Sequence, residues 1–126
     1  MNFDEVSEFQ KDVKALKKRV RTIESDIKRV KSRIEALYVV GDGMTVEEHA
    51  EFRKQFFASK KANLLSGSSD EIDVIKMRLD TDSDQFHTKL RLVFTAVRRG
   101  DKIHFIEIYS KSDKLREDAR RIKKYI

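Results

Sequence analysis

The chain has 126 residues, of which 28 are Lys or Arg and 22 are Asp or Glu, giving a formal net charge of +6 and a pI near 9.5. Charged residues make up 40% and hydrophobic ones 39%, with 8 Phe, so one domain spanning 1–126 with a modest core is expected and global disorder is excluded. The lack of Cys excludes disulfides and thiol chemistry, the 3 His have no metal-ligand spacing, and no apolar run approaches the ~20 residues of a membrane span; a cytoplasmic protein with no leader peptide, metal or small-molecule cofactor is expected.

Asn2 to Val6 (NFDEV) reads as a short strand, with Ser7 as the N-cap of a helix. Apolar residues then fall at Phe9, Val13, Leu16, Val20, Ile23, Ile27, Val30, Ile34 and Leu37, at spacings that alternate four and three. That period fits one long helix dimerising as a coiled coil. It fits equally a helical hairpin over 7–38 whose second helix starts at Thr22, after Arg19-Val20-Arg21. The strands downstream need a covering layer, which favours the hairpin.

Residues 39–71 read as a helical and loop insertion. Val39-Val40-Gly41-Asp42-Gly43 is a chain reversal, and Thr45 with Glu48 forms a capping box for a helix near 46–58. Val46, Ala50 and Phe57 share one side of that helix, with Phe52 and Phe56 adjacent. The Phe56-Phe57 pair reads as packing, with partner binding as the alternative. Leu65 to Asp70 (LSGSSD) reads as a flexible loop.

A sheet is expected over 72–109. In Ile72 to Leu79, the period of two puts Val74, Lys76 and Arg78 on one face and Asp73, Ile75, Met77 and Leu79 on the other. Asp80 to Asp84 is an acidic loop without the Gly and distal Glu of a calcium loop. Leu90 to Val97 puts Arg91, Val93, Thr95 and Val97 on one face. The turn Arg98-Arg99-Gly100-Asp101 leads to Lys102–Tyr109, where strict alternation sets Ile103, Phe105, Glu107 and Tyr109 against His104, Ile106 and Ile108. His104 reads as structural. From Ser112 as N-cap, a helix over 112–126 presents Leu115, Ala119, Ile122 and Ile126.

Charge is uneven along this order. Residues 1–38 carry 10 basic and 7 acidic side chains, 39–73 carry 4 and 7, 74–97 carry 4 and 3, and 98–126 carry 10 and 5. If the two basic ends fold together they share one positive face. An anionic partner such as nucleic acid suits that face, and solubility accounts for it equally.

The order of strand, two helices, insertion, three strands and helix resembles the RelE/ParE toxin superfamily, in its RelE/HigB-like form. The resemblance runs through NFDEVSEFQKDVKALKKRVRTIESDI, IKMR, LRLVF, FIEIYSKSDK and RIKKYI, and LRLVF with FIEIYSK is its most specific pair. It implies an α+β fold with a small antiparallel sheet, packed by the N-terminal helical hairpin and followed by a C-terminal helix. It implies the toxin of a type II toxin–antitoxin system, a metal-independent endonuclease acting on mRNA at the ribosome, with a cognate antitoxin as partner. Carried over residue by residue, Lys76 matches a strand Lys at the scissile region, Arg91 a strand Arg that holds the phosphate, and Tyr109 and Lys111 a pair that aids acid–base work or phosphate binding. Arg78, His87, Lys89 and Lys114 complete the expected RNA-binding set.

Other readings remain for the same residues. Lys76 and Arg78 also fit a solvated strand face, Arg91 a salt bridge to a helix carboxylate, and Tyr109 a core-edge residue. His87 suits a general acid or base near neutrality. Val74 and Ser112 stand where some ribonuclease members keep basic residues, and 39–71 exceeds the family's usual connection. A catalytically inactive RelE-fold protein, a ParE-like gyrase-binding toxin and a non-enzymatic coiled-coil protein are therefore the alternatives.

Overall fold

The apolar stripe of the N-terminal third is cut at residues 18–22, which separate α1 (Ser7–Lys17) from α2 (Ile23–Tyr38). Val20, inside the break, is fully buried. The computed structural model describes residues 1–59, 61–97 and 102–126; the expected turn at 98–101 lies outside them. The hairpin is thus the form taken, and the single long helix is not. Its break is fixed differently from expectation. The Thr22 hydroxyl caps no backbone amide but donates to Asp26 Oδ2 at 2.9 Å. Asp26 is buried and also accepts from the Thr81 hydroxyl (2.6 Å) and the Arg29 guanidinium (2.9 Å). At the start of α1, Ser7 is already helical and Val6 occupies the cap position without a side-chain bond.

Five strands form one sheet: β1 (Asn2–Glu5), β2 (Ala62–Leu64), β3 (Ile72–Arg78), β4 (Leu90–Val97) and β5 (Lys102–Ser110), in the order β1-β5-β4-β3-β2. The sheet is mixed, which corrects the expected antiparallel one. β1 runs parallel to β5, and the other pairs are antiparallel. β1 reaches the sheet edge through no hairpin, so nothing forces it antiparallel. The three-residue β2 was not expected, because it is too short to show alternation. The segment after it is bonded rather than loose: Leu65 donates to the Val74 carbonyl at 2.7 Å, and the Ser68 hydroxyl accepts from the Val74 amide at 2.9 Å.

The helical hairpin covers one sheet face. Phe9, Leu16, Val20, Ile23, Ile27, Val30 and Ile34 pack there on Ile75, Met77, Leu92, Phe94, Phe105 and Ile108. α3 (Val46–Ala58) has the predicted capping box, with Thr45 Oγ1 accepting from the Glu48 amide at 3.1 Å and Glu48 Oε1 from the Thr45 amide at 3.2 Å. Of its expected apolar side only Phe57 is realised: Val46 and Ala50 face outward, while Phe56 and Phe57 meet edge to face and pack against the core. Arg53 fastens α3 instead. Its guanidinium lies over the Tyr38 ring, 4.7 Å from the centroid, and donates to the Leu37 carbonyl at 2.7 Å.

The opposite face carries a smaller cluster of Val74, Val93, Ile106, Tyr109 and Ile122. Strict alternation in β5 would put Ile106 and Ile108 together, and a bulge prevents it. The β4–β5 register runs Val93↔Glu107 and then Phe94↔Phe105, so Ile106 is the extra residue. Ile103, Phe105 and Ile108 therefore face the helices, while Ile106, Glu107 and Tyr109 face the other way. β1 ends level with Phe105, and beyond it the β5 edge takes side chains as partners. The Ile108 amide donates to Asp12 Oδ2 at 3.2 Å, and Arg121 donates to the Ile106 carbonyl at 3.0 Å while pairing with Asp12.

The C-terminal helix, α4 (Ala119–Lys123), is shorter than the expected 112–126. Asp118 rather than Ser112 is its cap, accepting from the Arg121 amide at 3.1 Å. The buried Glu107 carboxylate is the reason. It accepts the Asp118 amide at 2.8 Å and pairs with Lys114, which holds residues 114–118 as a strap across the sheet. Among the described residues no helix is long and apolar enough to cross a membrane.

The Arg121–Asp12 pair is nearly buried and completes the strand edge. Arg121→Ala is expected to lower unfolding free energy by about 2–4 kcal/mol, read from urea midpoints, because it strands the Asp12 charge and the Ile106 carbonyl. Lys124→Ala removes an exposed ammonium whose one side-chain partner among the described residues is Glu8, and should leave the midpoint unchanged.

Candidate functional site

The face opposite the helical hairpin gathers most of the residues singled out by the sequence. Lys76 and Arg78 alternate on β3, and register sets Arg78 beside Arg91 and Arg91 beside Tyr109. Lys111 follows directly after β5, where its amide donates to the Lys89 carbonyl at 2.8 Å. An open cleft of about 330 Å³ lies here, lined by Lys76, Arg91, Lys111 and Arg116, with Asn63, Leu115 and Glu117 completing the walls. Four cations against one carboxylate make it electropositive.

Arg91 is held by carbonyls, not by a carboxylate. One guanidinium nitrogen donates to the Thr88 carbonyl at 2.9 Å and the Leu90 carbonyl at 3.0 Å. The salt-bridge reading of Arg91 is therefore not realised among the described residues. Burial and then the neighbouring Arg78 charge push its pKa down, against the pull of Tyr109. Two like charges side by side and partly desolvated raise the affinity of the site for an anion. Arg78 Nε is buried without a hydrogen-bond partner.

Tyr109 is 5% exposed, and its hydroxyl is also buried without a partner. Burial, followed by the Glu117 and Glu107 carboxylates, pushes the phenol up to about 12, with Arg91 opposing. At neutral pH this group is a proton donor and not a base. The Lys114 ammonium sits 5.1 Å from the ring centroid and pairs with Glu107, itself 1% exposed.

Lys76 is the cation that is already matched, with Nζ 3.0 Å from Glu117 Oε2. Burial works to raise the Glu117 carboxyl, but its own backbone amide and the Lys76 bond outweigh it and hold the pKa below the usual range. The solvated-face reading of Lys76 is thus replaced by an ion pair. Lys111 and Arg116 have no ion-pair partner among the described residues.

The structure thus brings Lys76, Arg78, Arg91, Tyr109 and Lys111 together. Lys114 lies on the Tyr109 ring and is occupied by Glu107 rather than free for a strand of RNA. His87 and Lys89 are exposed in the turn before β4 and do not line the cleft. His104 is half-buried beside Thr95, near the far end of β4. Asn63, Arg116, Glu117 and Glu107 were missed. Glu107 carried a signal, because a carboxylate amid FIEIY has to find a partner if that strand is covered. Arg116 and Glu117 carried none, since in a helix over 112–126 they read as solvent-facing.

The phenol gives a direct check on this geometry. With Tyr38 and Tyr125 changed to Phe, the remaining phenolate absorbance is expected to titrate near pH 12, and Arg91→Ala to move it higher. An ordinary phenol near 10 in the unfolded chain then ionises first, so Tyr109 stabilises the fold below pH 10 and loses that contribution as pH rises from about 10 to 12. Urea midpoints across that window, compared with Tyr109→Phe, measure it.

No protein-family model matches the chain, nor does any curated protein or solved structure.

Proposed function

We propose that the chain is a RelE-like toxin that binds single-stranded RNA in this cleft and cleaves it, acting in the cytoplasm on ribosome-bound message under the control of a cognate antitoxin. The observation that carries the reading is the convergence of Arg91, Lys111 and Arg116, which have no carboxylate partner among the described residues, beside a protonated phenol whose hydroxyl is unpartnered among them. The order of elements and the helices on both faces of the sheet support the resemblance in the sequence, whereas the parallel pairing of β1 with β5 departs from the antiparallel sheet it implies.

The chemistry needs little more than electrostatics. The 2′-oxygen of the strand attacks the adjacent phosphorus, and its proton passes to a base outside the cleft lining, a role for which His87, exposed in the turn next to the Thr88 carbonyl that Arg91 holds, is the candidate. Arg91 and Lys111 stabilise the doubly charged phosphorane. The bond to the 5′-oxygen breaks, that oxygen takes the Tyr109 proton, and a 2′,3′-cyclic phosphate and a 5′-hydroxyl remain. The phenolate recovers its proton from water.

The Lys76–Glu117 pair favours a second reading, in which the cleft binds RNA without cutting it. Induced expression in bacteria, with mapping of transcript ends, separates the two. Cleaved messages and growth arrest are expected for the wild type. Arg91→Ala should lower cleavage by about 10²–10³-fold, the scale of losing one preorganised charge-stabilising group. Intact messages and normal growth with abundant folded protein would sink the nuclease, and retained RNA binding in that case supports the second reading.

A further inference from the structure

The strap between β5 and α4 is fastened at both ends. Arg19 pairs with Asp113, and Lys114 with Glu107. At the far end the Asp118 amide donates to Glu107 at 2.8 Å. Among the described residues, no main-chain hydrogen bond joins 115–117 to the sheet. Leu115 is 79% exposed and Arg116 is exposed. Among the described residues one side-chain hydrogen bond ties the middle of the strap to the sheet, the 3.0 Å bond between Lys76 and Glu117.

That contact has the chemistry of a bound anion. The carboxylate sits on a lysine ammonium inside a cleft whose other charged walls are Arg91, Lys111 and Arg116. Beneath the same strap lies the Tyr109 hydroxyl, buried and without a partner, and Arg78 Nε on the same face is in the same condition. Two buried donors without a hydrogen-bond partner on this face add to its affinity for an acceptor, and the one side chain that holds the Glu117 carboxylate is Lys76.

We propose that Glu117 is an internal competitor: its carboxylate occupies the phosphate subsite on Lys76, and an incoming phosphate group must displace it to seat in the cleft. The proposal rests on the phosphate-binding part of the function above and not on cleavage. A ligand binding at Lys76 does work against the ion pair, so removing the competing charge tightens binding. Displacement also frees the middle of the strap, because its ends are held by Asp113, Lys114 and Asp118, which the ligand does not touch.

The test uses the full chain and inorganic pyrophosphate, followed by calorimetry. Glu117→Gln is expected to bind pyrophosphate about fivefold tighter than the wild type, the worth of a partly exposed ion pair. In a Lys76→Ala background the same change should have no effect. Glu24→Gln, which removes one surface charge elsewhere, should not reproduce the gain and so excludes a general charge effect. In the unsubstituted protein, the carbon-13 shift of the Glu117 carboxyl should titrate below the ordinary carboxylate range when free and return towards it with pyrophosphate bound; this reading stands even if a variant folds poorly. Equal affinities for wild type and Glu117→Gln, a gain that survives Lys76→Ala, an unmoved Glu117 titration, or no pyrophosphate binding by either protein overturns the proposal. A 2′-O-methyl RNA oligonucleotide, which cannot be cut, forms the second arm. Failure to bind it while pyrophosphate behaves as expected sinks the RNA reading and leaves the competitor standing; RNA binding with no effect of Glu117 does the reverse.

Discussion

One extra residue in β5 decides where almost every other part of this molecule goes. The bulge at Ile106 turns the alternation of the strand over halfway along. Before it, Ile103 and Phe105 point at the helical hairpin; after it, Ile108 does so, and Glu107 and Tyr109 point away. A strand without the bulge would drive a carboxylate and a phenol into the apolar layer under α1 and α2, at a cost of several kcal/mol for the unpaired charge alone. The bulge lies where β1 stops, so its edge groups are left open. Asp12 from α1 and Arg121 from α4 fill them and pair with each other around the edge of the sheet. The two helical layers are joined by this contact.

Glu107 carries the consequence to the cleft. Buried and ionisable, it takes the Lys114 ammonium and the Asp118 amide, and so it draws the chain after β5 out of helical geometry and across the sheet. The strap then supplies Arg116 and Glu117 to a cleft whose floor already holds Lys76 and Arg91. The electrostatics of the cleft are divided. Among the described residues Arg91 and Lys111 pair with no carboxylate, whereas Lys76 is neutralised at 3.0 Å. A surface that attracts anions therefore also carries its own anion, which bears on both affinity and access.

Much of this was legible from the residues. The alternation of Val74, Lys76 and Arg78 against Ile75 and Met77 gave the faces of β3 correctly, because that strand has no irregularity. The Thr45–Glu48 capping box located α3 to the residue, since capping is a local interaction. The grouping of Arg91, Tyr109 and Lys111 came from the family resemblance alone, since strand period does not say which faces of two strands coincide. β2 was invisible because three residues have no period. The C-terminal helix was overextended because Leu115, Ala119, Ile122 and Ile126 do keep helical spacing, and the tertiary pull of Glu107 on Lys114 and Asp118 overrides it.

By itself the sequence determined α1 to α3 and the strands other than β2, that the two ends are basic, and which cations lie on a strand face. These rest on periodicity and capping within a few residues. Whether nine apolar positions make one helix or two was a tertiary decision, in which Val20 is buried inside the break and Asp26 joins the neighbouring Thr22 to the distant Thr81. The parity of β5, the direction of β1 and the pairing of Lys76 with Glu117 were likewise tertiary decisions. Each depends on where a charged or main-chain group finds a partner in space, often many residues away, and no local pattern encodes that.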